Sequence, residues 1–128
     1  MLPNFLVPET VVHEDGTGPE CELGDLTERL LLLSLGITRI IEQESLDISI
    51  WGSPDNADWG AKPLISYPQK FYCGTYQILL DLNDRPGVRY LRVQWKVGRW
   101  GRGSAKPLFG FYVFAEEMAR QALTAKSA

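Results

Sequence analysis

The sequence predicts an all-β fold: an antiparallel sandwich of two sheets with jelly-roll or Greek-key connections, ending in a short C-terminal helix or frayed tail. Three observations carry that prediction. Short runs of apolar and polar residues alternate along the chain and are separated by clusters of Gly, Pro, Asn and Asp. Twelve Gly, eight Pro and an aromatic share of 11% favour many short strands and tight turns over a helical bundle. No alternation of strands with amphipathic helices, as a parallel sheet requires, is present. A closed barrel is the main alternative. With 128 residues, 45% of them hydrophobic and 23% charged, the chain fits one domain around one core. Residues 1–26 read as an extended lead-in and loop, 27–115 as the sandwich, and 116–128 as the helix or tail.

Taken in order, the lead-in mixes Pro, Gly and acids, as in HEDGTGPECELGD, and a short strand fits Thr10 to His13. Glu28 to Ile41 suits either a buried strand or a short helix by periodicity; Gly36 and the β-branched residues after it favour strands. From Ser45 the alternation is clean. Leu46, Ile48 and Ile50 share one face, and Asp47, Ser49 and Trp51 the other. GSPDNADWG follows as a turn, with Asn56 and Gly60 suited to left-handed backbone angles. Ile65–Tyr72 and Tyr76–Leu82 read as strands flanking Cys73 and Gly74, and NDRPG as a turn. Next, Leu91, Val93, Trp95 and Val97 alternate with Tyr90, Arg92, Gln94 and Lys96. Val88 to Phe114 as a whole reads as a hairpin with a long glycine-rich tip. From Ala115 the chain is rich in helix formers but too short to hold a helix unless docked.

Charge is divided along the chain. Residues 1–64 carry three Lys/Arg against twelve Asp/Glu, a balance of −9, and residues 65–128 carry ten against four, a balance of +6. Between Arg85 and Lys106 there are seven basic residues and no acidic one, interleaved with Tyr90, Trp95 and Trp100. Such polarity points to recognition of a charged surface, another copy of the chain included. The candidate contact residues are Arg92, Lys96, Arg99, Trp100, Arg102 and Lys106. Nucleic acid is the weaker fit, because the chain is acidic overall with a pI near 5.1. Trp51, out of phase with its apolar neighbours, and Trp59 are candidate ligand-binding aromatics, with stacking on sugar rings the natural use.

Catalytic and metal chemistry find little support. The single histidine, His13, is tied by no sequence motif to a serine or cysteine nucleophile. Zinc needs about four suitable ligands, against one His and two dispersed Cys. Asp55, Asn56 and Asp58 lack the remaining positions of an EF-hand loop and read as a polar turn. Glu42, Glu44 and Asp47 could supply a carboxylate pair, with Glu42 and Glu44 on one strand face, but read more simply as exposed acids on a strand. No metal and no cofactor is expected. Cys21 and Cys73 read as free thiols in a reducing compartment, with a single disulfide as the alternative in an exported protein. The opening residues lack a signal-peptide pattern, and no run approaches the roughly 18 apolar residues of a membrane span. The expected setting is therefore cytoplasmic, away from membranes.

ESLDISIWGSPDNADWG together with VRYLRVQWKV resembles two groups. One is the small β-sandwich structural proteins of tailed bacteriophages and prophages, matched at Ser53, Pro54, Asp55 and Trp59 and at Arg89, Tyr90, Leu91, Arg92 and Val93. The other, more distant, is the discoidin or factor type C sandwich of carbohydrate- and lipid-binding modules. Asn56 stands where both patterns have Gly, and Cys21 and Cys73 are not placed as the discoidin clamp. The resemblance covers about Glu44 to Phe114. It implies a non-catalytic structural or interaction protein in a virion-associated setting, and the division of charge adds the expectation that it associates with itself or an acidic protein surface through the basic aromatic hairpin. A discoidin-like carbohydrate-binding module is the alternative, and an enzyme of unknown class the second alternative.

Overall fold

The computed structural model describes residues 2–40, 44–99 and 107–119, and of Arg99 the backbone only. Nine strands form two antiparallel sheets packed face to face, and the described residues contain no helix. The strands are β1 (Asn4–Val12), β2 (Gly16–Thr17), β3 (Cys21–Glu22), β4 (Leu30–Ile40), β5 (Glu44–Ser53), β6 (Ile65–Ser66), β7 (Gly74–Asp81), β8 (Tyr90–Arg99) and β9 (Phe109–Glu117). One sheet has the order β1-β9-β4-β7. In the other, β8 pairs with β5, β5 with β6, and β2 and β3 share the remaining edge of β8. Most connections pass from one sheet to the other, and this strand order is that of a jelly roll.

Period-two patterning decides which side chains enter the core. Leu31, Leu33, Leu35 and Ile37 of β4 and Phe109, Phe111, Val113 and Ala115 of β9 are buried. They face Leu46, Ile48 and Ile50 of β5 and Leu91 and Val93 of β8, also buried. The two inner faces interdigitate as in any aligned sandwich. Trp95, expected in the core, is half-buried at its margin. Its indole lies edge-to-face on Phe111 at 5.5 Å and donates Nε1–H to the Glu14 carbonyl at 3.1 Å. Gly16, its partner in β2, leaves the room the ring needs, since a Cβ there would meet the indole at 2.6 Å.

Several expectations are corrected. The stretch Val88 to Phe114 is not a hairpin: β8 and β9 belong to opposite sheets, which is why Trp95 and Phe111 meet across the core. Two consecutive alternating runs read alike whether their strands pair or arch between sheets. The lead-in contributes a nine-residue edge strand, with Leu6 and Val7 buried. Pro8 is tolerated because β1 is an edge strand whose register slips between Phe5 and Thr10. Within Glu28–Ile41, the residues Leu30–Ile40 form strand β4, and Ile41 lies outside the described residues. Ile65–Tyr72 shrinks to the two residues of β6 and an isolated bridge at Lys70, because Tyr67 turns into the core and Pro68 cannot donate to a ladder.

At the C-terminal end, β9 runs through Glu117, past the expected boundary at Ala115. The Glu117 carboxylate accepts the backbone N–H groups of Glu28 and Arg29 at 2.7 and 3.0 Å, fixing the strand end to the start of β4. Residues 120–128, where most of the helix or tail was expected, lie outside the described residues.

Tyr67 carries a hydroxyl into the core. Tyr67, 4% exposed, donates its hydroxyl to the Leu33 carbonyl of the opposite sheet at 2.6 Å. Burial pushes its phenol well above the usual tyrosine value. The folded chain therefore keeps this proton at pH values where the unfolded chain has lost it, so stability should fall as pH rises above about 10. The expected slope is about 1.4 kcal/mol per pH unit from this group. Comparing urea midpoints of the native chain and Tyr67→Phe between pH 8 and 11 checks it. Parallel pH dependences in the two proteins would remove the assignment.

Candidate functional site: the outer face of the five-stranded sheet

The register of β5 against β8 builds three polar rungs on the solvent side of the sheet. Asp47 stands opposite Lys96, Ser49 opposite Gln94, and Trp51 opposite Arg92. Ser66 of β6 extends the middle rung, being paired with Ser49. Because side chains alternate across a strand, these residues point away from the core that Ile48, Ile50 and Val93 fill. Successive rungs are two residues apart, so the row spans roughly 14 Å at the ordinary strand rise.

Local chemistry fixes the aromatic end. Trp51 leans along its own strand and donates Nε1–H to Ser49 Oγ at 2.9 Å. The Arg92 guanidinium sits 4.3 Å above the Trp59 ring, a cation–π arrangement. Arg92 Nε is buried without a hydrogen-bond partner among the described residues; the stack on Trp59 is the interaction it has in exchange for water. Trp59 is delivered by the turn after β5. There Asp55 Oδ1 accepts the N–H groups of Ala57 and Asp58, both at 2.9 Å, and the Ser53 hydroxyl at 3.1 Å. The Asp58 amide, then the Ala57 amide, then the Ser53 hydroxyl hold the Asp55 carboxyl below its ordinary value. Asn56 adopts φ 64° and Gly60 φ 73°, the left-handed angles this turn sequence suits.

A groove of about 420 Å³ runs beside these rungs, lined by Asp47, Ser49, Trp51, Ser66, Gln94 and Lys96 among others. Gln69 steadies one wall by donating Nε2–H to Asp47 Oδ2 at 3.0 Å.

Two sets of residues read separately in the sequence thus share one face. Arg92 and Lys96, from the basic stretch, stand beside Trp51, with Trp59 stacked on Arg92. Arg99 ends β8 opposite Glu44. Trp100, Arg102 and Lys106 lie outside the described residues, as does Glu42. Sequence reasoning missed Ser49, Ser66 and Gln94 as site residues and weighed Asp47 only as a member of a carboxylate pair. Alternation placed Asp47, Ser49 and Gln94 on outward faces, but only the register sets them side by side. Glu44, expected to be exposed, is 1% exposed; it keeps the inward phase of Leu46 and accepts the Leu108 N–H at 2.6 Å.

The other candidates sit elsewhere. His13 is exposed, with Nδ1 3.0 Å from the Pro107 carbonyl, in a hollow formed by Val11 to Asp15 and Trp95 that neither cysteine lines. Cys21 is buried, Cys73 is exposed, and no disulfide joins them. A polar cleft between Glu22, Asp25, Arg29 and Arg89 is a braced loop junction. Its Arg29 guanidinium is occupied by the carbonyls of Leu82, Arg85 and Val88 at 3.4, 3.1 and 3.2 Å.

Fold and face together define a jelly-roll β-sandwich with a polar and aromatic groove on one sheet. No family model matches the chain, and no curated protein or solved structure matches it either.

Proposed function

We propose that this sandwich is a non-catalytic recognition protein whose contact surface is the outer face of the five-stranded sheet. The carrying observation is the convergence of Arg92, Lys96, Trp51 and Trp59 on that face. Cationic and aromatic side chains held by rigid strands make a surface that binds without rearranging. Arg92 and Lys96 suit an acidic protein surface, the chain's own acidic sector included. The resemblance to phage and prophage sandwich proteins supplies the setting, a structural component that assembles among copies.

One feature limits how such copies meet. Part of the acidic segment is already spent within the subunit: β2 and β3 pair along β8, and Asp15 accepts the Val97 N–H at 2.8 Å. What remains for a second copy is the outward face of β8, away from that edge. Sedimentation velocity at about 50 and about 500 mM salt tests this, since exposed charge contacts weaken as the Debye length shrinks. Association at low salt that dissolves at high salt, and disappears in Arg92→Glu/Lys96→Glu, is the expected result. A monomer at both salts would remove self-association.

A second reading, a carbohydrate-binding module, is favoured by the groove beside Trp51.

A further inference from the structure

We infer that the groove between β5, β6 and β8 takes a neutral oligosaccharide, with Trp51 as the stacking platform and Gln94, Ser66, Asp47 and Lys96 as hydroxyl contacts. The inference rests on the recognition reading only in using the same face of the sheet.

Charge balance comes first. Among the described residues the groove is lined by one cation, Lys96, and one anion, Asp47, standing opposite each other on one rung. An anionic ligand would gain from Lys96 and be repelled by Asp47, so the lining fits a ligand of no net charge. Donor and acceptor chemistry comes second. Lys96 only donates, Asp47 as carboxylate only accepts, and Gln94 and Ser66 do both. Vicinal hydroxyl groups, each both donor and acceptor, match such a mixed set, whereas a phosphate or carboxylate calls for donors alone.

Shape comes third. Trp51 is anchored to Ser49 Oγ through Nε1, so its ring is fixed before any ligand arrives and little side-chain entropy is lost on stacking. The Ser49 hydroxyl is spent on this anchoring and on the Gln94 carbonyl at 3.5 Å, which makes Ser49 a positioning residue. A row of three rungs, roughly 14 Å long, suits a short run of sugar rings better than a single one.

The experiment is intrinsic tryptophan fluorescence and calorimetry on the full chain. The probes are neutral cello-, xylo-, manno- and chito-oligosaccharides, with oligogalacturonate and a sulfated heparin oligosaccharide as acidic counterparts. At least one neutral series should bind saturably and more tightly as the oligomer lengthens from two rings to four. Trp51→Ala should weaken that binding at least tenfold, Gln94→Ala several-fold, and Trp51→Phe less than Trp51→Ala. Far-UV circular dichroism confirms that each variant is folded, and the Phe variant stands in should the Ala variant unfold. No neutral binding across the panel, binding indifferent to Trp51 and Gln94, or binding confined to the acidic probes each overturns the inference. Salt-sensitive association that depends on Arg92 and Lys96, with silence across the glycans, would sink the groove while leaving the protein-contact reading intact. Glycan binding by a strict monomer would support the groove and remove self-association.

Discussion

Gly36→Val is expected to lower the unfolding free energy by about 2–3 kcal/mol, although valine ranks among the best strand formers. Gly36 lies in β4 between β7 and β9, directly opposite Tyr112, and a Cβ built there would fall inside the Tyr112 ring. That ring has little freedom to leave. Phe5 packs edge-on against it at 5.9 Å and against Phe114 at 4.9 Å. Adding a side chain must therefore expel Tyr112 from its place on the outer face of the sheet or bend β4. Urea unfolding measures the loss. The double variant Gly36→Val/Tyr112→Ala should cost less than the sum of its parts, because each change relieves the other. Full additivity would show that the two positions do not compete for one space.

Phe111→Ala should cost more, about 3–5 kcal/mol. Phe111 is fully buried, sits in β9 between β1 and β4, and reaches across the core to Trp95 of the opposite sheet. Removing the ring leaves a cavity where the two sheets meet and takes away one face of the Trp95 site. The urea midpoint should fall and the near-UV dichroism of the tryptophans should weaken together. A large stability loss with an unchanged near-UV spectrum would mean that Trp95 is ordered by β2 alone.

How far the sequence could be read depended on whether a feature is local. Strands β5 and β8 were legible because Leu46, Ile48 and Ile50, and likewise Leu91 and Val93, alternate with polar residues over one unbroken run. The SPDNADWG turn was legible because its asparagine and glycine fit the left-handed angles found there. Pairing partners were not legible, since the same alternation serves a hairpin and an arch between sheets. For that reason Val88 to Phe114 reads as a hairpin in the sequence, whereas β8 stands between β5 and the acidic lead-in. The β1 strand was underestimated because Pro8 breaks its pattern; the register slips that absorb the proline are properties of the β9 partnership. Of the site, Trp51, Arg92 and Lys96 were visible as outward residues. The rung arrangement needed the register. Glu44 was misjudged because a carboxylate at an inward position is rare without a partner, and its Leu108 contact comes from a residue 64 positions away.

That same carboxylate has a consequence for how the protein can change. The backbone of Glu44 pairs with Arg99, the last residue of β8, and its side chain grips the amide of Leu108, just before β9. One residue thus clasps the chain on both sides of the glycine-rich basic connection. Because the entropy of closing a loop grows only slowly with its length, segments of different length and composition can be spliced between these two fixed points at little cost to the sandwich. The clasp, not the segment it closes, is therefore what holds the end of β8 and the start of β9 in place.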